Sequence, residues 1–92
     1  MPKPAAVRRL PAKPDLELLR ALSNTAAVSG DEGPVRKLVL DAIRPYADEV
    51  KVDALGNVLA VKHAAKGRSA PRLLLAAHMD EVGLMIVDHD SE

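Results

Sequence analysis

The spacing of apolar residues changes once along the chain, from a helical period to an alternating one. Leu16, Leu19, Leu22 and Ala26 recur at helical intervals and give one apolar face. Asp15 stands ahead of them as an N-cap, with Pro14 just outside. The run Ser23-Asn24-Thr25 weakens the far end of this helix. Val28-Ser29-Gly30 reads as a turn. A second helix then opens near Asp31 or Glu32, where acidic side chains suit the positive end of the helix dipole. Pro34 is tolerated in a first turn, because the N–H it lacks would have no intrahelical acceptor. Val35, Leu38, Val39, Ala42, Ile43 and Tyr46 continue as an apolar stripe, and Pro45 should end the regular helix.

From Glu49 the period becomes two. Val50 and Val52 alternate with Glu49, Lys51 and Asp53, as in a strand with one wet face. Ala54-Leu55-Gly56-Asn57 reads as a turn, and Val58–Lys62 as the returning strand of an antiparallel hairpin. Residues 64–71 form a polar loop. Leu73-Leu74-Leu75-Ala76-Ala77 is apolar at every position, which predicts a strand covered on both faces. It runs into His78-Met79-Asp80-Glu81, and Leu84–Val87 predicts one more strand. The expected class is α/β, or α+β for the piece in isolation. Such a piece has two helices, a hairpin and two further strands that open a larger sheet.

Composition sets the limits of this picture. With 92 residues and a single aromatic, Tyr46, the core must be small and aliphatic. Thirteen basic and thirteen acidic residues cancel, so no strong field draws the body of the chain to nucleic acid or an anionic membrane. Neither is expected as a partner. No apolar run approaches the ~20 residues of a membrane span. The absence of cysteine removes disulfides, thiolate zinc sites and cysteine nucleophiles, and fits a cytoplasmic location. Residues 1–14 hold four of the seven prolines and read as a flexible arm. This stretch has no apolar core of a secretory signal, and without hydroxyl residues it matches a transit peptide poorly.

The informative chemistry sits at the end of the apolar run. In an extended segment residues i and i+2 share a face, roughly 6.6 Å apart. His78 and Asp80 can therefore face one cleft beyond the strand's carboxyl end, where ligand sites of open α/β sheets lie. Histidine is a common zinc ligand, and a nearby carboxylate can orient the metal shell. The plainer alternative is a polar strand exit satisfied by backbone and water. Other candidates carry less. His63 follows Lys62 and should be exposed. Asp88, His89, Asp90 and Glu92 read as a solvated terminal cluster. Ser23, Thr25 and Ser29 have no adjacent histidine base, and Gly30 and Gly33 lack the rest of a phosphate loop.

The segment from Leu74 to Gly83, LLAAHMDEVG, resembles the metal-binding strand of the glutamyl aminopeptidase and tetrahedral aminopeptidase family of dinuclear metallopeptidases. Ser29-Gly30-Asp31-Glu32 and Asp53-Ala54-Leu55-Gly56-Asn57-Val58 resemble two further landmarks of that family, in the same order. The resemblance covers about residues 15–90. It implies a phosphorylase/hydrolase-like zinc-peptidase sheet, with residues 15–92 forming the N-terminal part of a catalytic domain. It makes His78 a ligand of one of two zinc or cobalt ions and Asp80 the carboxylate that orients a ligand histidine. Glu81 receives no role. Family members remove N-terminal residues from peptides, using a metal-bridged water and a glutamate base.

The remaining family ligands and the general base lie downstream of residue 92. A catalytic zinc needs about three protein ligands plus water, so the isolated chain is expected to hold no metal tightly and to be inactive. Peptides are then substrates of the full-length enzyme, and unfinished sheet edges favour a homo-oligomer. Two alternatives stand beside this reading. One is a non-catalytic oligomerising or interaction module. The other is a fragment of a related deacylase or carboxypeptidase of the same superfamily, against which Met79 and Glu81-Val82-Gly83 weigh.

Overall fold

The computed structural model describes residues 15–91, so the proline-rich arm and Glu92 lie outside the described residues. Four regular elements follow in order: α1 (Leu16–Asn24), α2 (Gly33–Ile43), β1 (Glu49–Val52) and β2 (Val58–Val61). The mixed α/β composition matches the expectation. The elements that the chain can complete from its own neighbours are the ones that form.

Helix α1 starts where the sequence places it. The Asp15 carboxylate accepts from the Leu18 N–H at 3.0 Å and satisfies one of the open donors of the first turn. The helix stops at Asn24, because Thr25 turns extended and both its N–H and its hydroxyl donate to the Ala21 carbonyl. Ala26 therefore lies beyond the helix. The inward face is also rotated from the expected one. Leu18, Ala21, Leu22 and Thr25 are half-buried, whereas Leu16 and Leu19 are exposed. Four leucines in this short helix allow more than one apolar stripe, and packing selects the one that meets α2.

Helix α2 follows its stripe more closely. Val35 is buried, and Leu38, Val39, Ala42 and Ile43 are half-buried along the same side. Tyr46 is exposed, because regular helix ends at Ile43, ahead of Pro45. The core of the described residues centres on Ala27 and Val35, between the two helices.

Strands β1 and β2 pair antiparallel in the register Glu49 with Val61 and Val52 with Val58. The turn between them is held by Asp53. Its Oδ1 accepts from the N–H groups of Leu55 and Asn57 at 2.9 Å, and its Oδ2 accepts from the Asn57 side-chain amide at 2.8 Å. The Asn57 amide and the turn N–H groups hold the Asp53 carboxyl below its usual range. Gly56 takes φ +86°, a conformation that costs other residues strain. The Arg36 guanidinium lies where a Cβ at Gly56 would go, and its Nε donates to the Gly56 carbonyl at 2.7 Å. This bond ties the hairpin tip to α2.

The two further strands expected at Leu73–Ala77 and Leu84–Val87 do not form. Both segments carry no ladder, and Leu73, Leu74 and Leu75 are each more than four-fifths exposed. A strand needs a hydrogen-bonded neighbour, and a doubly apolar one needs cover on both faces. Residues 72–91 have neither here. What remains is an isolated parallel bridge between Val28 and Glu81, with the Glu81 N–H donating to the Ala27 carbonyl at 2.8 Å.

Candidate functional site

That bridge fixes the neighbourhood of His78 and Asp80. The turn after α1 runs beside residues 80–81, and Gly83 packs so closely on Val28 that an added Cβ would meet its Cγ2 at 3.0 Å. Asp80 is thereby held against Ser29, whose hydroxyl donates to Asp80 Oδ2. The other carboxylate oxygen, Oδ1, lies 3.2 Å from His78 Nδ1. The same ring nitrogen is 2.9 Å from the Asp80 backbone carbonyl oxygen. His78 and Asp80 thus meet in the structure, through a tight local wrap rather than through the shared face of a strand.

The electrostatics follow from these donors. The Ser29 hydroxyl, with a smaller contribution from His78, keeps the Asp80 carboxyl below its ordinary range. Glu32 lies close enough for the Asp80 charge to oppose its own. The Gly30 N–H, at 3.0 Å from Glu32 Oε1, and Arg36 still hold the Glu32 carboxyl low. The site therefore carries two carboxylates, with the Arg36 guanidinium 3.7 Å from Glu32.

These groups line one end of an open groove of about 630 Å³ between α2 and residues 75–80. Val39, Ile43 and Leu75 line its apolar part. A groove of this kind offers a charged end for a polar group and a greasy wall beside it.

The other two histidines make their contacts elsewhere. His63 sits at the end of the hairpin, where its Nε2 meets Glu49 Oε1 at 2.9 Å and its N–H donates to Asp48 Oδ2. His89 donates its backbone N–H to Asp88, within the terminal segment. Among the described residues, no three histidine, aspartate or glutamate side chains come together as a metal-holding group.

The donor set can still be tested against a metal. Both acceptors around His78 Nδ1 are oxygens, so in the neutral ring that nitrogen carries the proton and Nε2 keeps its lone pair. An imidazole whose far N–H is tied to a carboxylate is the usual form of a metal-ligating histidine. His78 fits one corner of a metal site. Asp80 has both oxygens engaged and fits the orienting role better than the ligand role.

Sequence reasoning did not find the Ser29–Asp80 contact or the approach of Glu32 and Arg36. Ser29 and Asp80 are 51 positions apart. The one available signal was the Ser29-Gly30-Asp31-Glu32 motif, which now proves to be the second wall of the site.

Known proteins extend the geometry. No protein-family model matches the chain, and no solved structure matches it. Curated relatives do. A lysyl aminopeptidase of Pyrococcus furiosus is 46% identical over 79 residues, which is 85% of this chain and 22% of that protein. A glutamyl aminopeptidase of Lactococcus lactis subsp. cremoris is 41% identical over 68 residues, 74% of this chain and 19% of that protein. The chain spans about a fifth of the length of these relatives. Over the stretch it shares with them, the chain matches proteins named as lysyl and glutamyl aminopeptidases, in keeping with an N-terminal segment of such a protein.

Proposed function

We propose that this chain forms the N-terminal, metal-facing part of the catalytic domain of a metal-dependent aminopeptidase, the whole protein removing N-terminal residues from peptides. The observation that carries this reading is the His78–Asp80 geometry, with Nδ1 tied to oxygen and Nε2 open. His78 would hold a zinc or cobalt ion through Nε2, and Asp80 would fix the ring. When bound, such ions acidify water and polarise a peptide carbonyl. The apolar groove wall from Val39 to Leu75 would be covered by further strands of a phosphorylase/hydrolase-like sheet in the longer protein. Similarity to named aminopeptidases supports a peptidase origin, and a site with one histidine supports an inactive isolated chain.

Two experiments test this. The 92-residue chain should release no product from aminoacyl p-nitroanilides with added zinc or cobalt. Turnover abolished by His78→Ala would overturn the inactivity. Conversely, residues 15–91 grafted in place of the matching segment of the P. furiosus enzyme should restore metal-dependent hydrolysis. In that chimera His78→Ala should cost at least about a hundredfold, on the scale of losing a metal ligand or its support. A chimera that works equally well without His78 would refute the ligand role.

A related hydrolase is the second reading. A Pyrococcus furiosus relative named as a lysine/ornithine hydrolase is 39% identical over 67 residues, 73% of this chain. The same chimera assay with acylated lysine in place of the peptide decides between the two substrates. The exposed leucines at 73–75 support self-association, so a homo-oligomer is proposed with either activity. A cytoplasmic location is proposed from the lack of cysteine.

A further inference from the structure

Resting on the proposed role of His78, we infer that Ser29 is a positioning residue acting through Asp80. Its hydroxyl clamps the carboxylate, so that the opposite oxygen holds His78 with its proton on Nδ1 and its lone pair on Nε2.

The argument is one of proton direction. Ser29 Oγ–H donates to Asp80 Oδ2, and Asp80 Oδ1 and the Asp80 carbonyl both face His78 Nδ1. Carboxylate and carbonyl oxygens only accept, so the ring nitrogen between them must donate. An aspartate held at one oxygen can still swivel about its terminal torsion, which is broad and roughly two-fold. A donor on the second oxygen removes that freedom. Ser29 is itself fixed: Gly30 takes φ +92°, and the Asp31 N–H donates to the Val28 carbonyl across the turn at 2.9 Å. The backbone bond from Glu81 to Ala27 already docks the segment, so docking does not need the hydroxyl. Glu32 and Arg36 complete the charged surroundings of Asp80, and neither donates to its carboxylate.

The test reads the two ring nitrogens of His78 by long-range ¹⁵N–¹H spectroscopy of the full 92-residue chain at about pH 8, above the ordinary histidine range. In the native chain the proton is expected on Nδ1. Ser29→Ala should weaken this bias, since only the Asp80 carbonyl then holds the Nδ1 proton firmly, the two nitrogen shifts moving toward each other, and Ser29→Thr should keep it. The amide spectrum of β1 and β2 should stay unchanged in both. An unchanged tautomer in Ser29→Ala, or a native proton on Nε2, overturns the inference. Should Ser29→Ala also disturb the hairpin, Asp80→Asn replaces it. Its amide can present N–H to the ring, so the proton should move to Nε2, and a ring that ignores this change likewise overturns the inference. The two ideas stay separable. Loss of hydrolysis in the His78→Ala chimera decides the metal reading, while the tautomer result in the 92-residue chain alone decides the role of Ser29.

Discussion

The hairpin and the segment that follows it contain similarly apolar sequence and end in opposite states. Between Val52 and Val58 five residues satisfy one another, with Asp53 accepting three bonds and Arg36 sealing the tip. Between Leu73 and Val87 stronger strand formers lie unpaired and largely exposed, held only around Asp80, Glu81 and Gly83. Hydrophobicity does not separate the two regions. Local closure does, because the hairpin carries its own partner a few residues away and the leucine run needs one from farther off.

The sharpest way to break this contrast is amide exchange. Hairpin amides that face the partner strand, such as that of Leu59 opposite Lys51, should exchange on the order of a hundredfold more slowly than those of Leu73–Ala77. Equal rates would show that the hairpin is no more closed than its neighbour. Next in size is Gly56→Ala. It combines positive φ with a collision against Arg36, and should destabilise the hairpin by about 1–3 kcal/mol. A denaturant midpoint that does not move would remove Gly56 from the closure argument.

Acid should act selectively in the same sense. Asp53 and Asp80 both have carboxyl groups held below the usual value of 3.8. Their folded forms bind protons less readily than their unfolded forms. The stability they contribute is therefore fully present above that value and is lost as pH falls through and below it. The Asn57 side-chain amide signals should report the loss of the turn in that window. Signals unchanged down to the loss of all structure would contradict it. The smallest effect is expected from Leu74→Lys. It should lower self-association in sedimentation while changing stability by under about 0.5 kcal/mol, as for an exposed position.

Legibility follows the same division. The α2 stripe was readable because Val35 to Ile43 offers one continuous apolar side. The α1 stripe was not, since Leu18 and Leu19 compete and only α2 decides between them. Asp53, Gly56 and Asn57 announced a turn, but the reach of Arg36 across twenty positions left no periodic trace. The meeting of His78 and Asp80 was readable because they are two residues apart. Ser29 was hidden, because what joins it to Asp80 is the packing of Val28 against Gly83.

That packing has a bearing on errors of alignment. Asp80 and Glu81 are neighbouring acids, and in extended backbone a slip of one position exchanges their faces. Such a slip would send a longer carboxylate toward Ser29 and leave the imidazole facing the wrong oxygen. Gly83 guards against it as a gauge does, since its bare α-carbon is what lets the chain settle over Val28 at this one setting. A family seeking to move its acid by a single methylene would have to alter the gauge before the acid.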